Sequence, residues 1–285
     1  MDFTNAKELL ELCEKHGKSI SSVMLDREAQ LFGLDRNAAM EKMAESYRIM
    51  KNAINTALND PKPTMGGLIG GEAVKLRTLS AEGKSVCGGT VAKAVAYAMG
   101  VMEVNACMGL VVAAPTAGSS GVIPGTFMAV QEDQAFSDEQ MVTALFNAAA
   151  VGYIITKNAS VAGAEAGCQA EVGSSSAMAA SAIAELMGAS PKQCLVAAGT
   201  ALVNLEGLVC DPVRGEVEEP CQKRNAIGAA NALTSAEIAL AGIGFILPFD
   251  EMVDVMLKIG KTMPVELRET AKGGIATAPS SVKKH

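Results

Sequence analysis

Apolar residues recur along this chain at spacings of three and four, the period of a helix with one buried face. After Asp35, a good N-cap residue, Met40, Met43, Ala44, Tyr47, Met50 and Ile54 fall on one side of a predicted helix. The run Asp60-Pro61-Lys62-Pro63 ends it, because proline has no amide hydrogen and restrains its predecessor. Ser137 with Gln140 predicts a capping box ahead of Met141, Leu145, Ala148, Gly152 and Ile155, and Ser190, Pro191 and Gln193 repeat that signal. Asp250 is expected to cap a further helix with Val253, Met256 and Ile259 turned inward. Period-two alternation is scarce. Even the most strand-like piece, residues 108–113, is expected to be helical or extended within a helical domain. The predicted fold class is all-α: a multi-helix globular domain with glycine-rich loops at its site.

No composition shift divides the 285 residues, so one domain is expected, with residues 1–60 as a candidate N-terminal helical subdomain. The core must be built from Ala, Leu, Val, Ile and 16 Met, since the chain has no Trp, seven Phe and three Tyr. A net charge of −7 argues against nucleic acid, which needs clustered Lys and Arg. Residues 2–14 are polar and acidic, so no leader is expected. The apolar run 141–156 is interrupted by Asn147 and 108–115 is too short for a bilayer, so no membrane association is expected. A cytoplasmic protein is the expectation, in which seven cysteines are thiols or metal ligands and not a disulfide set.

The glycine-rich stretches are too specific to be linkers. They cover residues 66–71, 115–121, 163–173 and 207–224. Cys168, Cys210 and Cys221 lie in the last two, beside glycines and prolines that can aim sulfur inward, whereas Cys13, Cys107 and Cys194 read as small core residues. Cys87 sits in a loop. The spacing of Cys168, Cys210 and Cys221 is too wide for a zinc ribbon and does not match the compact ferredoxin pattern. Thiolate ligands favour zinc or iron–sulfur. The loop bearing Thr116, Gly118, Ser119 and Ser120 can offer amides and hydroxyls to a carboxylate, with Pro124 starting the next helix, and loop 66–71 could do likewise.

These residues resemble the signatures of a known family. The run Ala114-Pro115-Thr116-Ala117-Gly118-Ser119-Ser120-Gly121-Val122-Ile123-Pro124-Gly125-Thr126 is similar to one in the iron–sulfur-dependent L-serine dehydratases. So are Asn158-Ala159-Ser160-Val161-Ala162-Gly163, Gly167-Cys168-Gln169-Ala170-Glu171-Val172-Gly173 and Gly207-Leu208-Val209-Cys210-Asp211-Pro212-Val213. Val217-Glu218, Pro220-Cys221, Arg224-Asn225-Ala226, Arg268-Glu269-Thr270 and Gly273-Gly274-Ile275-Ala276 complete the likeness, which runs from about residue 4 to residue 278. The resemblance implies an alpha chain with a helical catalytic domain, accompanied by a separate beta chain and expected to form an oligomer. It also implies a 4Fe–4S cluster on Cys168, Cys210 and Cys221. Single-chain relatives carry a smaller domain ahead of this one, and some end in a cysteine that caps the fourth iron. Neither feature is found here, so that iron is expected to face solvent, substrate or partner.

The implied reaction is deamination of L-serine to pyruvate and ammonia, with the open iron as Lewis acid. The only histidines are His16 and His285, both read as solvated, so the resemblance points to the beta chain for the base. Lys75 is the internal candidate for binding or proton transfer. Arg224 and Asn225 are expected near the cluster, and Asn105 is a further binding candidate. Cysteine desulfidation or threonine deamination on the same scaffold, or a non-enzymatic metal or electron-transfer protein, are the alternative readings.

Overall fold

The computed structural model describes residues 1–282; His285 lies outside the described residues. Thirteen α-helices and several short 3₁₀ or π turns account for its regular structure, with no strand among the described residues. The first three are α1 (Ala6–His16), α2 (Ile20–Phe32) and α3 (Arg36–Asn59), followed by α4 (Glu72–Ala81), α5 (Gly89–Ala106) and α6 (Val122–Gln134). Next come α7 (Asp138–Asn158), the single turn α8 (Gly163–Ala166), α9 (Ser174–Leu186) and α10 (Pro191–Val203). The chain continues with α11 (Cys221–Leu240), α12 (Phe249–Thr262) and the terminal turn α13 (Pro279–Val282). Residues 108–113 form neither helix nor strand. No helix of the described residues is long and apolar enough to cross a membrane.

The predicted caps at Asp35, Ser137 and Ser190 each accept an amide of the first turn, and the last two close full capping boxes. Three expectations are corrected. Pro248, not Asp250, precedes α12, and both Asp250 oxygens accept amides of Ala6 and Lys7, capping the distant α1. Helix α6 starts at Val122, two residues ahead of Pro124. Ala44 is exposed, because the buried stripe of α3 runs through Ala39, Tyr47, Met50, Ala53, Ile54 and Ala57.

Helix α9 is the hub. It packs against α6, α7, α10 and α11, and every residue from Ser174 to Ala184 is buried. Its small side chains allow this close approach. Three of its buried hydroxyls are bonded: Ser175 donates to Ala114 O, Ser176 to Gly228 O and Ser181 to Asn147 Oδ1. Ser175 thereby ties the loop before α6 to the hub. A π turn (Gln169–Gly173) runs directly into α9, and such widened turns recur at functional sites.

Candidate metal centre

The π turn places Cys168 and Glu171 at the buried N-terminal end of the hub. Gln169, fully buried, stitches the loop before Cys210 onto it: Gly207 N donates to Gln169 Oε1 at 2.9 Å, and Gln169 N to Leu208 O at 3.0 Å. Cys210 is then held from the other side by a short parallel bridge. Its amide donates to Leu267 O at 2.8 Å, and Glu269 N donates to Cys210 O at 2.7 Å. The sulfurs of Cys168 and Cys210 and a Glu171 oxygen consequently lie within 4.8 Å of one another, all buried.

Cys221 lies outside that tight group but is buried beside it, close enough for charge on Cys168 and Glu171 to act on its thiol. The cysteines expected in glycine-rich loops are adjusted here: Cys221 is the first residue of α11, and Cys168 has helical backbone leading into the π turn, so Cys210 alone of the three stands outside a helix. A helix N-terminus favours a thiolate. Burial outweighs it, and the Cys221 thiol is pushed up to about 12. Cys168 behaves oppositely. The hydrogen bond with Cys210 holds its thiol below the ordinary value despite burial, and the Arg224 guanidinium, with Nη1 at 3.6 Å from the sulfur, adds to the effect. Cys210 is raised by that same hydrogen bond and by burial.

Two glycines make room for the donors. A Cβ on Gly163 would stand 2.6 Å from Glu171 Oε2 and 3.1 Å from Cys210 Sγ, and one on Gly118 would stand 3.1 Å from Glu171 Oε1. Burial pushes the Glu171 carboxyl above its ordinary value, opposed by the Thr116 hydroxyl, which donates to Oε1 at 2.7 Å. Thus Thr116 and Gly118 face the thiol group through Glu171. Ser119 and Ser120 are buried, with hydroxyls turned to Thr116 and to Ala117 O. Asn225 clamps this loop: its Nδ2 donates to Gly118 O at 2.8 Å and its Oδ1 accepts from Gly121 N at 3.0 Å. Arg224 reaches Cys168, Val209 O and Asp211 together.

The remaining sequence candidates lie elsewhere. Lys75 is exposed and paired with Glu72 at 3.4 Å. Asn105 is half-buried in the last turn of α5. His16 is exposed at the end of α1. Cys13 and Cys194 are buried, Cys107 is half-buried with its thiol on Val104 O, and Cys87 is exposed. Loop 66–71 does bind carboxylates, but the protein's own: Glu218 accepts amides of Gly66, Leu68 and Ile69, and Glu103 accepts those of Gly71 and Ala73. Sequence reasoning singled out neither Glu171 nor Asp211 as site residues, although both stand in the quoted motifs, next to or three residues from a cysteine.

Fold and site together define an all-α protein with a buried, thiol-rich donor group able to hold a metal. The chain belongs to the serine dehydratase alpha chain family, whose model, described in those words, matches residues 15–276. It is 46% identical to a probable L-serine dehydratase, alpha chain, of Bacillus subtilis over 98% of this chain and 92% of that one. It is 40% identical to the L-serine dehydratase, alpha chain, of Peptoniphilus asaccharolyticus over 98% and 95%. An L-serine dehydratase of Streptomyces coelicolor is 38% identical over 96% of this chain, which covers 60% of that longer protein.

Proposed function

We propose that this chain is the catalytic alpha chain of an L-serine dehydratase, carrying a 4Fe–4S cluster on Cys168, Cys210 and Cys221. The observation that carries the reading is the convergence of Cys168, Cys210 and Glu171 in one buried group with Cys221 beside it, in a chain whose relatives are named for that activity. The donor chemistry fits. Soft thiolates select iron–sulfur or zinc, and a multi-iron cluster spreads its thiolates more widely than a single ion, which suits Cys221 standing outside the tight group. When bound, the cluster supplies an open Lewis-acidic iron for the substrate hydroxyl.

The chain's own residues do the rest. Arg224 offsets the negative charge of Cys168 at 3.6 Å and keeps its sulfur oriented. The Thr116 hydroxyl and the turn at Gly118 stand where a substrate carboxylate can be oriented, held rigid by Asn225. Buried Gln169 and Asn225 leave no slack in the loops that position the donors. In the reaction the Cα–H and Cβ–O bonds of L-serine break, water departs, and the resulting aminoacrylate tautomerises and hydrolyses to pyruvate and ammonia. The α-proton goes to a base on the separate beta chain, since His16 is exposed at the end of α1; Lys75 is the internal alternative. The reading includes an oligomer, which the exposed apolar side chains Ile243, Phe245, Ile246 and Leu247 between α11 and α12 support.

The test is paramagnetic resonance of the anaerobically reconstituted chain with and without L-serine, followed by turnover assays with the beta chain added. The reading expects serine to perturb the spectrum and to outperform L-cysteine and L-threonine. A spectrum indifferent to all three amino acids would refute it.

A further inference from the structure

The C-terminal segment after α12 is mostly exposed, yet it reaches the thiol group at two points. Residues 267–269 bond the backbone of Cys210. Further on, Ile275 N donates to Asp211 Oδ2 at 2.8 Å. Asp211 is 2% exposed and spends its other oxygen on Arg224, with Nη2 to Oδ1 at 2.7 Å. The same guanidinium uses Nη1 for Val209 O at 2.8 Å and stands 3.6 Å from Cys168 Sγ. Gly274 makes the approach possible: its φ is +58°, and a Cβ there would fall 2.1 Å from Asp211 Oδ2.

One buried carboxylate therefore joins the segment's backbone to the cation on a cysteine sulfur. A carboxylate has acceptors for both arms at once, whereas an amide must turn a donor toward either Arg224 or Ile275. A lysine at 224 would keep the charge but could not fork to Asp211, Val209 and Cys168 together.

Resting on the proposed cluster site, we propose that Asp211 is a positioning residue that couples docking of residues 267–277 to the cluster, through Arg224 on Cys168. Docking of the segment orients Asp211. Asp211 fixes the guanidinium, and the guanidinium sets the charge around the Cys168 sulfur and shields it. The segment is thus part of the metal centre without supplying a ligand to it.

The experiment uses the full chain, reconstituted anaerobically with iron and sulfide, in wild-type, Gly274→Ala, Asp211→Asn and Arg224→Lys forms. Three quantities are read: hydrogen exchange of the 274–276 amides, the rate of iron loss to a chelator, and the midpoint potential of the cluster. Gly274→Ala keeps the Asp211 and Arg224 side chains themselves, and its methyl, 2.1 Å from Asp211 Oδ2, forces the segment away from that carboxylate. It should nonetheless speed both amide exchange and iron loss by about tenfold, the effect of losing one charge-assisted hydrogen bond. Asp211→Asn should do the same and shift the potential. Arg224→Lys, the mildest change, should shift the potential and speed iron loss while the 274–276 amides stay protected. If Gly274→Ala frees the segment but iron leaves at the wild-type rate, or if the potential is the same in all four proteins, the coupling is refuted. A wild-type chain that takes up no cluster would overturn the functional reading and this inference together, an outcome distinct from failure of the variants alone.

Discussion

Gly163 shows how little space a reactive site leaves. It opens α8 without a left-handed backbone, so alanine there carries no conformational strain, but the added methyl would meet Glu171 Oε2 and Cys210 Sγ at 2.6 and 3.1 Å. Gly163→Ala is therefore expected to unfold at nearly the wild-type temperature while taking up less than half the iron; full iron content would contradict the placement of these donors. Glu103 is a second telling residue. Burial, the largest influence on it, raises its carboxyl above the ordinary 4.5, against the amides of Ala73 and Gly71. The folded state thus binds this proton more tightly than the unfolded chain. Its contribution to stability is full below pH 4.5 and is lost as pH rises through the folded value. Relative to wild type, Glu103→Gln should gain stability in urea titrations from pH 4.5 to neutrality, whereas parallel curves would count against the shift.

Among the elements, the crossing of α5 and α6 depends on Gly125. A Cβ there would lie 2.7 Å from Ala94 O and Ala98 N, backbone atoms that cannot swing aside. Alanine alone would gain about 1 kcal/mol of helix propensity over glycine, while overpacking costs about 1–3 kcal/mol. The clash wins because it falls on backbone, so Gly125→Ala should lose up to about 2 kcal/mol in chemical denaturation; a gain would show that the helices part freely. Helix starts were readable where a local cap stands before a clear apolar stripe, as at Asp35, Ser137 and Ser190, but the equally local caps Asn5 and Ser19 of α1 and α2 were not singled out. Asp250 misled because its acceptors serve amides 243 and 244 residues away, a pairing that no local pattern carries.

At the scale of the whole molecule, the all-α class followed from the helical spacing of apolar positions, and the ordered motifs around Cys168, Cys210 and Cys221 pointed to one site. The site's interior was less legible. Glu171 joins the Cys168 and Cys210 thiols because a π turn brings it to them, and loop 66–71 is filled by Glu218 from about 150 residues away. Both depend on which loops meet, and that is settled by the packing around α9. The central claim is tested most directly by iron and sulfide content after anaerobic reconstitution of single Cys→Ser variants. About four irons and four sulfides per chain are expected in the wild type and in the Cys13, Cys107 and Cys194 variants. Marked loss is expected at Cys168, Cys210 and Cys221 alone; a Cys221→Ser chain with a full complement, or a wild type holding zinc in place of iron, would contradict the account.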